Sequence, residues 1–235
     1  MKKKILCGIL CASAGVALAV ESPVTTIDVI AVSSDLTNIV IAIPGQDLAG
    51  GNLAISNRVK TVNLENGDKL FAFNDGTYQA WVLSDGKWVE VASAGQDSDG
   101  KVAVAAGTPA ADKKMLVGEG IWLHRSNPSS LKPFCVYGAH ASASITVAAS
   151  ATVLLGNPTQ TAASPTVSNP QNKDKIIVPT AGFPTYYNYN SETGKWQYID
   201  AEGDVAVSDT PPSITAGTGF WYQASDTIGT RTITW

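Results

Sequence analysis

Two hexapeptides of one design stand in this chain, Gly118-Glu119-Gly120-Ile121-Trp122-Leu123 and Gly217-Thr218-Gly219-Phe220-Trp221-Tyr222. Two glycines spaced by one residue, then an apolar residue and a Trp, predict a tight backbone passage into a buried strand. One such hexamer constrains little. Two in a chain of 235 residues predict a duplicated unit, because other segments pair off in the same order. Ile145-Thr146-Val147 echoes Ile27-Asp28-Val29, and Val153 to Pro158 echoes Ile39 to Pro44. Asn172-Lys173-Asp174-Lys175-Ile176 matches Asn66-Gly67-Asp68-Lys69-Leu70, and Gly194-Lys195-Trp196 matches Gly86-Lys87-Trp88. Gly203-Asp204-Val205-Ala206-Val207 repeats Gly100-Lys101-Val102-Ala103-Val104 just before each hexamer. The separation between matched positions falls from 118 at the front to 99 at the hexamers, a drift that a few loop deletions produce.

The paired segments are rich in Val, Ile and aromatic residues and are bounded by Gly, Asn, Asp and Pro, the pattern of short strands between turns. Tyr78 to Leu83 and Lys87 to Val91 read as a hairpin across Asp85-Gly86, a dipeptide that tolerates the positive φ of such turns. Apolar periodicity of 3.6 residues is scarce, and 12 prolines are spread along the chain. The expectation is an all-β fold. Two tandem repeats, residues 24–141 and 142–235, would form a β-sandwich or a pair of small β-sandwiches.

The first residues predict export. Lys2-Lys3-Lys4, the apolar run Ile5 to Val16 and the small residues of Ala17-Leu18-Ala19 have the layout of a cleaved signal peptide over residues 1–19. Ile9-Leu10 before Cys11 and Ile5-Leu6 before Cys7 do not fit a lipoprotein signal. Removal of the three signal lysines takes 16 Lys and Arg to 13, against 20 Asp and Glu, a net charge of −7. Such a chain has no basic footprint for nucleic acid, and its only predicted membrane contact is through the signal peptide. Cys135 would then be the one remaining cysteine, either an inert thiol or one half of a bridge to another chain.

Candidate functional residues fall into three groups. Gly118, Gly120, Trp122, Gly217, Gly219 and Trp221 are expected to be architectural, with the glycines admitting a Trp ring against the backbone. Tyr186, Tyr187, Tyr189, Trp196 and Tyr198 form the densest aromatic group, and exposed rings of this kind stack on sugars. Asp97 and Asp99 resemble the start of a calcium loop that lacks its later ligands, and plain turns have the same composition. Asp68 and Asp174 are expected to cap the turns entering their strands. His124, Cys135 and His140 are spaced unlike any usual zinc site, and no nucleophile elbow or phosphate-cradling loop is present, so no cofactor is expected. Terminal Trp235 after Ile233 and Arg231 has the aromatic end of an outer-membrane barrel strand, but Arg231 would then face lipid.

Leu154-Leu155-Gly156-Asn157-Pro158, the Tyr-rich stretch leading to Gly194-Lys195-Trp196, and Ala216-Gly217-Thr218-Gly219-Phe220-Trp221 together resemble a β-module of secreted and surface proteins of bacteria. The likeness is greatest to a group of small exported proteins to which no activity is attached. It implies export and a β fold, and no catalytic role. The first copy departs from it, with Ala42-Ile43-Pro44 for Gly-Asn-Pro and Ile121 for Phe. The chain therefore reads as a non-catalytic structural or interaction protein, secreted, periplasmic or on the cell surface, with a protein partner or self-association. Carbohydrate binding through the Tyr-rich group is the alternative, and a secreted hydrolase or an outer-membrane barrel stands behind both.

Overall fold

The computed structural model describes residues 27–30, 38–42, 63–74, 77–91, 117–127, 134–137, 142–159, 161–180, 183–200 and 202–235. These residues form sixteen strands and no helix. In the first half they are β1 (Ile27–Ile30), β2 (Asn38–Ala42), β3 (Lys69–Asn74), β4 (Thr77–Ser84), β5 (Lys87–Val91), β6 (Gly120–His124) and β7 (Phe134–Tyr137). The second half supplies β8 (Ser144–Val147), β9 (Thr152–Gly156), β10 (Thr166–Ser168), β11 (Lys175–Val178) and β12 (Thr185–Asn190). It continues with β13 (Lys195–Ile199), β14 (Val205–Ser208), β15 (Gly219–Gln223) and β16 (Arg231–Thr234). The short strand expected at Val102 to Val104 lies outside the described residues.

All pairings are antiparallel, in three sheets and a two-stranded ribbon. One sheet runs β2-β6-β3-β4-β5 and another β9-β15-β11-β12-β13-β14; β8, β16 and β10 form the third, and β1 pairs with β7. The two larger sheets have one strand order: β2, β6, β3, β4 and β5 correspond in turn to β9, β15, β11, β12 and β13. Among the described residues neither order returns to its first strand. Strand β10 sits in a Ser/Pro-rich stretch where the sequence carries no strand signal, and it is held by pairing with β16.

Local chemistry accounts for the ladder ends. Asp85 and Gly86 both have positive φ (49° and 73°), and Ser84 pairs with Lys87, so β4 and β5 close over a two-residue turn of the type that follows the natural strand twist. Alternation then sorts the side chains. On β6, Ile121 and Leu123 point into a core with Ile41, Leu70, Trp81, Leu83 and Trp88. In the second half, Leu155, Ile176, Trp196, Phe220 and Tyr222 of the six-stranded sheet share a core with Val147 and Ile233 of the three-stranded sheet. Trp88 and Trp196, at matched positions, are both buried.

Candidate functional site

The repeated hexamers meet each other's halves. Ala42 N–H donates to the Gly217 carbonyl at 3.0 Å, and Gly156 N–H donates to the Gly118 carbonyl at 2.9 Å. Ala42 and Gly156 are matched positions, as are Gly118 and Gly217, so the two bonds are a reciprocal pair. Two antiparallel bridges, Ile41 to Thr218 and Glu119 to Leu155, extend it. The glycines divide the work. Gly118 and Gly217 have φ of 84° and 73°, a left-handed conformation that L side chains rarely adopt. Gly120 and Gly219 instead lack room: a Cβ on Gly120 would lie 2.6 Å from the Leu155 carbonyl oxygen, and one on Gly219 would run into Val40. Gly156 faces the backbone of Ala42 in the same way.

The expected packing of Trp122 and Trp221 against these glycines is thus corrected. The atoms nearest a Cβ at Gly120 belong to Leu154 and Leu155 of the other half, and those nearest one at Gly219 to Val40 of the other half and the Leu155 carbonyl of its own, none of them an indole. Both Trp side chains are half-buried and lie outside the two main cores, on the opposite strand face. Trp122 packs on Phe71 within its own half, with ring centroids 5.2 Å apart. Trp221 meets Phe73 edge-on across the two halves, also at 5.2 Å. Face parity put them there, because β6 and β15 are apolar on both sides.

The densest aromatic group proves to be two groups. Tyr187, Tyr189, Trp196 and Tyr198 face the core side of the six-stranded sheet, with Tyr187 on Tyr198 at 4.8 Å and Tyr189 on Trp196 at 5.3 Å. Trp196 is 2% exposed, so its assignment to an exposed sugar-binding platform is corrected. Tyr187 and Tyr189 pack against the same core. Burial, together with neighbouring Tyr198, holds the Tyr187 phenol above its ordinary pKa, so the ring stays neutral. Tyr186 alone points the other way and is 50% exposed.

That outward face carries two parallel rows. Register places Thr152, Gln223, Lys175, Asn188, Gln197 and Val207 side by side on six successive strands. One step along the strands, Leu154, Trp221, Ile177 and Tyr186 form an apolar row on four neighbouring strands, and Ile199 pairs with Val205 on the last two. The Trp221 end is covered by the first half; the Tyr186 end is open, with Phe183 94% exposed beside it. A depression of about 440 Å³ is lined there by Phe183, Tyr186, Asn188, Gln197, Ile199 and Val205. A second, of about 690 Å³, shares Asn188 and Gln197 and continues to Lys175, Gln223 and Asn172. Among the described residues the side-chain amides of Asn188, Gln197 and Gln223 make no hydrogen bond.

The best-placed acid is occupied elsewhere. Asp174 is fully buried and accepts five hydrogen bonds: from Gln171 N–H, Ser225 N–H, the Tyr222 hydroxyl, and Arg231 through Nε and Nη2. Burial by itself would push this carboxyl up, but the Arg231 guanidinium, the two N–H groups and the Tyr222 hydroxyl together hold it below the ordinary value. Arg231 is raised in return by its bond to Asp174, and burial with the neighbouring carboxylate keeps Tyr222 protonated far above its usual range. Asp68 repeats the arrangement, accepting from Glu65 N–H and Ser126 N–H and pairing with Arg125 Nε at 3.0 Å. The expected turn caps are therefore also buried ion pairs. Arg231 and Ile233 are both buried on the inward side of β16.

Asp97, Asp99 and His140 lie outside the described residues, while His124 is half-buried on β6 and Cys135 pairs with Val29 in the ribbon ladder. No group of three His, Cys, Asp or Glu side chains converges among the described residues. No family model, curated protein or solved structure matches this chain.

Proposed function

We infer that the protein is an exported, non-catalytic interaction protein of the cell envelope or surface, built from two tandem copies of one β-module. The copies are residues 24–141 and 142–235, packed as one β-sandwich or a pair of small ones, akin to the β-module of secreted and surface proteins, and the signal peptide is residues 1–19. The shared strand order of the two larger sheets supports the duplication. The shared core of the six-stranded and three-stranded sheets supports the sandwich.

One observation carries the non-catalytic reading. Asp174, the acid with the strongest set of partners, is buried under five donors and tied to Arg231, a structural use that leaves it no access to a substrate. The open outward face of the six-stranded sheet, with amides that make no hydrogen bond among the described residues and with exposed Tyr186 and Phe183, is the surface available for a partner. Cell fractionation with N-terminal sequencing of the native protein tests the reading. The expected product begins at Val20 and is recovered outside the inner membrane. Recovery of a chain that retains Met1 in the cytoplasm contradicts it.

A further inference from the structure

We propose that the outward face of the six-stranded sheet is a glycan-binding groove taking a neutral oligosaccharide laid across the strands. The proposal rests on the interaction-protein reading and gives that reading a ligand class. It also moves sugar recognition away from Tyr187, Tyr189, Trp196 and Tyr198, whose rings serve the core side, to the opposite surface.

Sugar rings offer two chemistries at once: an apolar face of C–H groups and an equatorial rim of hydroxyls that donate and accept. The groove answers both. Tyr186 and Phe183 supply exposed aromatic faces at its open end. Asn188, Gln197 and Gln223 supply amides, each with donor and acceptor atoms and none engaged within the described residues. Antiparallel register sets Gln223, Lys175, Asn188 and Gln197 in one line across β15, β11, β12 and β13. With strands about 4.8 Å apart, that line runs about 14 Å, the reach of a short oligosaccharide. The two depressions share Asn188 and Gln197, so the aromatic end and the amide row form one continuous surface.

Charge and edge chemistry select against other occupants. Asp226 offsets only one of Lys173 and Lys175, but acidic residues outnumber basic ones in the chain as a whole, so a polyanionic ligand meets a net repulsive field beyond that spot. A protein strand adding to β14, the edge of this sheet among the described residues, would meet Asp204 at one end of that strand and Asp209 at the other, with Pro211 and Pro212 following. Amides that find no partner among the described residues also suit a hydroxyl-rich ligand better than the apolar centre of a protein interface.

The test is calorimetric titration of the purified protein with cello-, xylo-, manno- and chito-oligosaccharides. Saturable binding of at least one series is expected. Tyr186→Ala, and separately the double variant Asn188→Ala with Gln197→Ala, should each weaken it about tenfold, the size of one stacking or hydrogen-bonding contact. Both should leave the melting temperature nearly unchanged, because these side chains lie outside the core. No binding to any series, or binding that all these variants leave intact, overturns the proposal. If the protein ignores every sugar but self-associates in sedimentation, and Val205→Asp abolishes that association, the glycan assignment fails while the interaction-protein reading survives.

Discussion

Replacing Gly120 with Ala isolates the joint between the two halves. Gly120 does not have the left-handed φ that would penalise a side chain, so the substitution asks only whether space exists. In an unobstructed strand the exchange should stabilise by about 0.4–1 kcal/mol, because Ala restricts the unfolded chain more than Gly does. Here the new Cβ would lie 2.6 Å from the Leu155 carbonyl oxygen, 3.0 Å from its carbonyl carbon and 3.0 Å from Leu154 Cγ. Two of these three atoms are backbone and have no rotamer to escape into. Overpacking of this kind costs about 1–3 kcal/mol, and backbone neighbours place it at the upper end. The net expectation is a loss of about 2 kcal/mol, or about 4–8 °C in melting temperature for a chain of this length. Thermal and urea unfolding measure it. Adding Leu154→Ala should restore little, since the nearest obstacle is the Leu155 carbonyl. A Gly120→Ala variant as stable as the parent, or more so, would refute the reasoning, because even the sign would then follow the free-strand rule.

The other expectations concern the ion pairs and the contact across the halves. Asp174→Asn leaves Arg231 buried beside a neutral partner, and unfolding should show a loss of about 3–5 kcal/mol. The parent's stability should fall below about pH 4. A carboxyl held below its ordinary value stabilises the fold only while ionised, so its contribution is complete above the unfolded value and disappears as pH drops through the folded one. Urea midpoints across acid pH should show this slope in the parent and a shallower one in Asp174→Asn. A double-mutant cycle on Phe73→Ala and Trp221→Ala should give a coupling of about 0.5–1.5 kcal/mol, and none if the rings do not meet.

How much of this was legible in the residues depended on whether the signal was local. The β class, the Asp85-Gly86 hairpin and the strands around the hexamers follow from turn chemistry and β-branched runs, and the structure has them. What the hexamer glycines touch was not legible, since Val40, Leu154 and Leu155 come from strands far off in sequence and look like ordinary core residues there. The arginines were hidden for a different reason. Asp68 and Asp174 occupy matched places, but Arg125 follows β6 while Arg231 lies in β16, and Ala224 stands where a second Arg125 would be. Comparison of the halves therefore highlights the acids and misses the bases. The aromatic stretch failed on parity: alternation separates Tyr186 from Tyr187 and Tyr189, but with tyrosines on both faces the pattern does not say which side is buried.

The central claim is that the repeated glycine hexamers are the joint through which the two halves hold each other by reciprocal backbone bonds. Hydrogen exchange at the amides of Ala42 and Gly156, resolved by NMR, tests it most directly. Both N–H groups should exchange as slowly as those within the large sheets, and both should lose protection together in Gly120→Ala. Exchange of either amide at the rate of an exposed loop in the parent protein would contradict the joint.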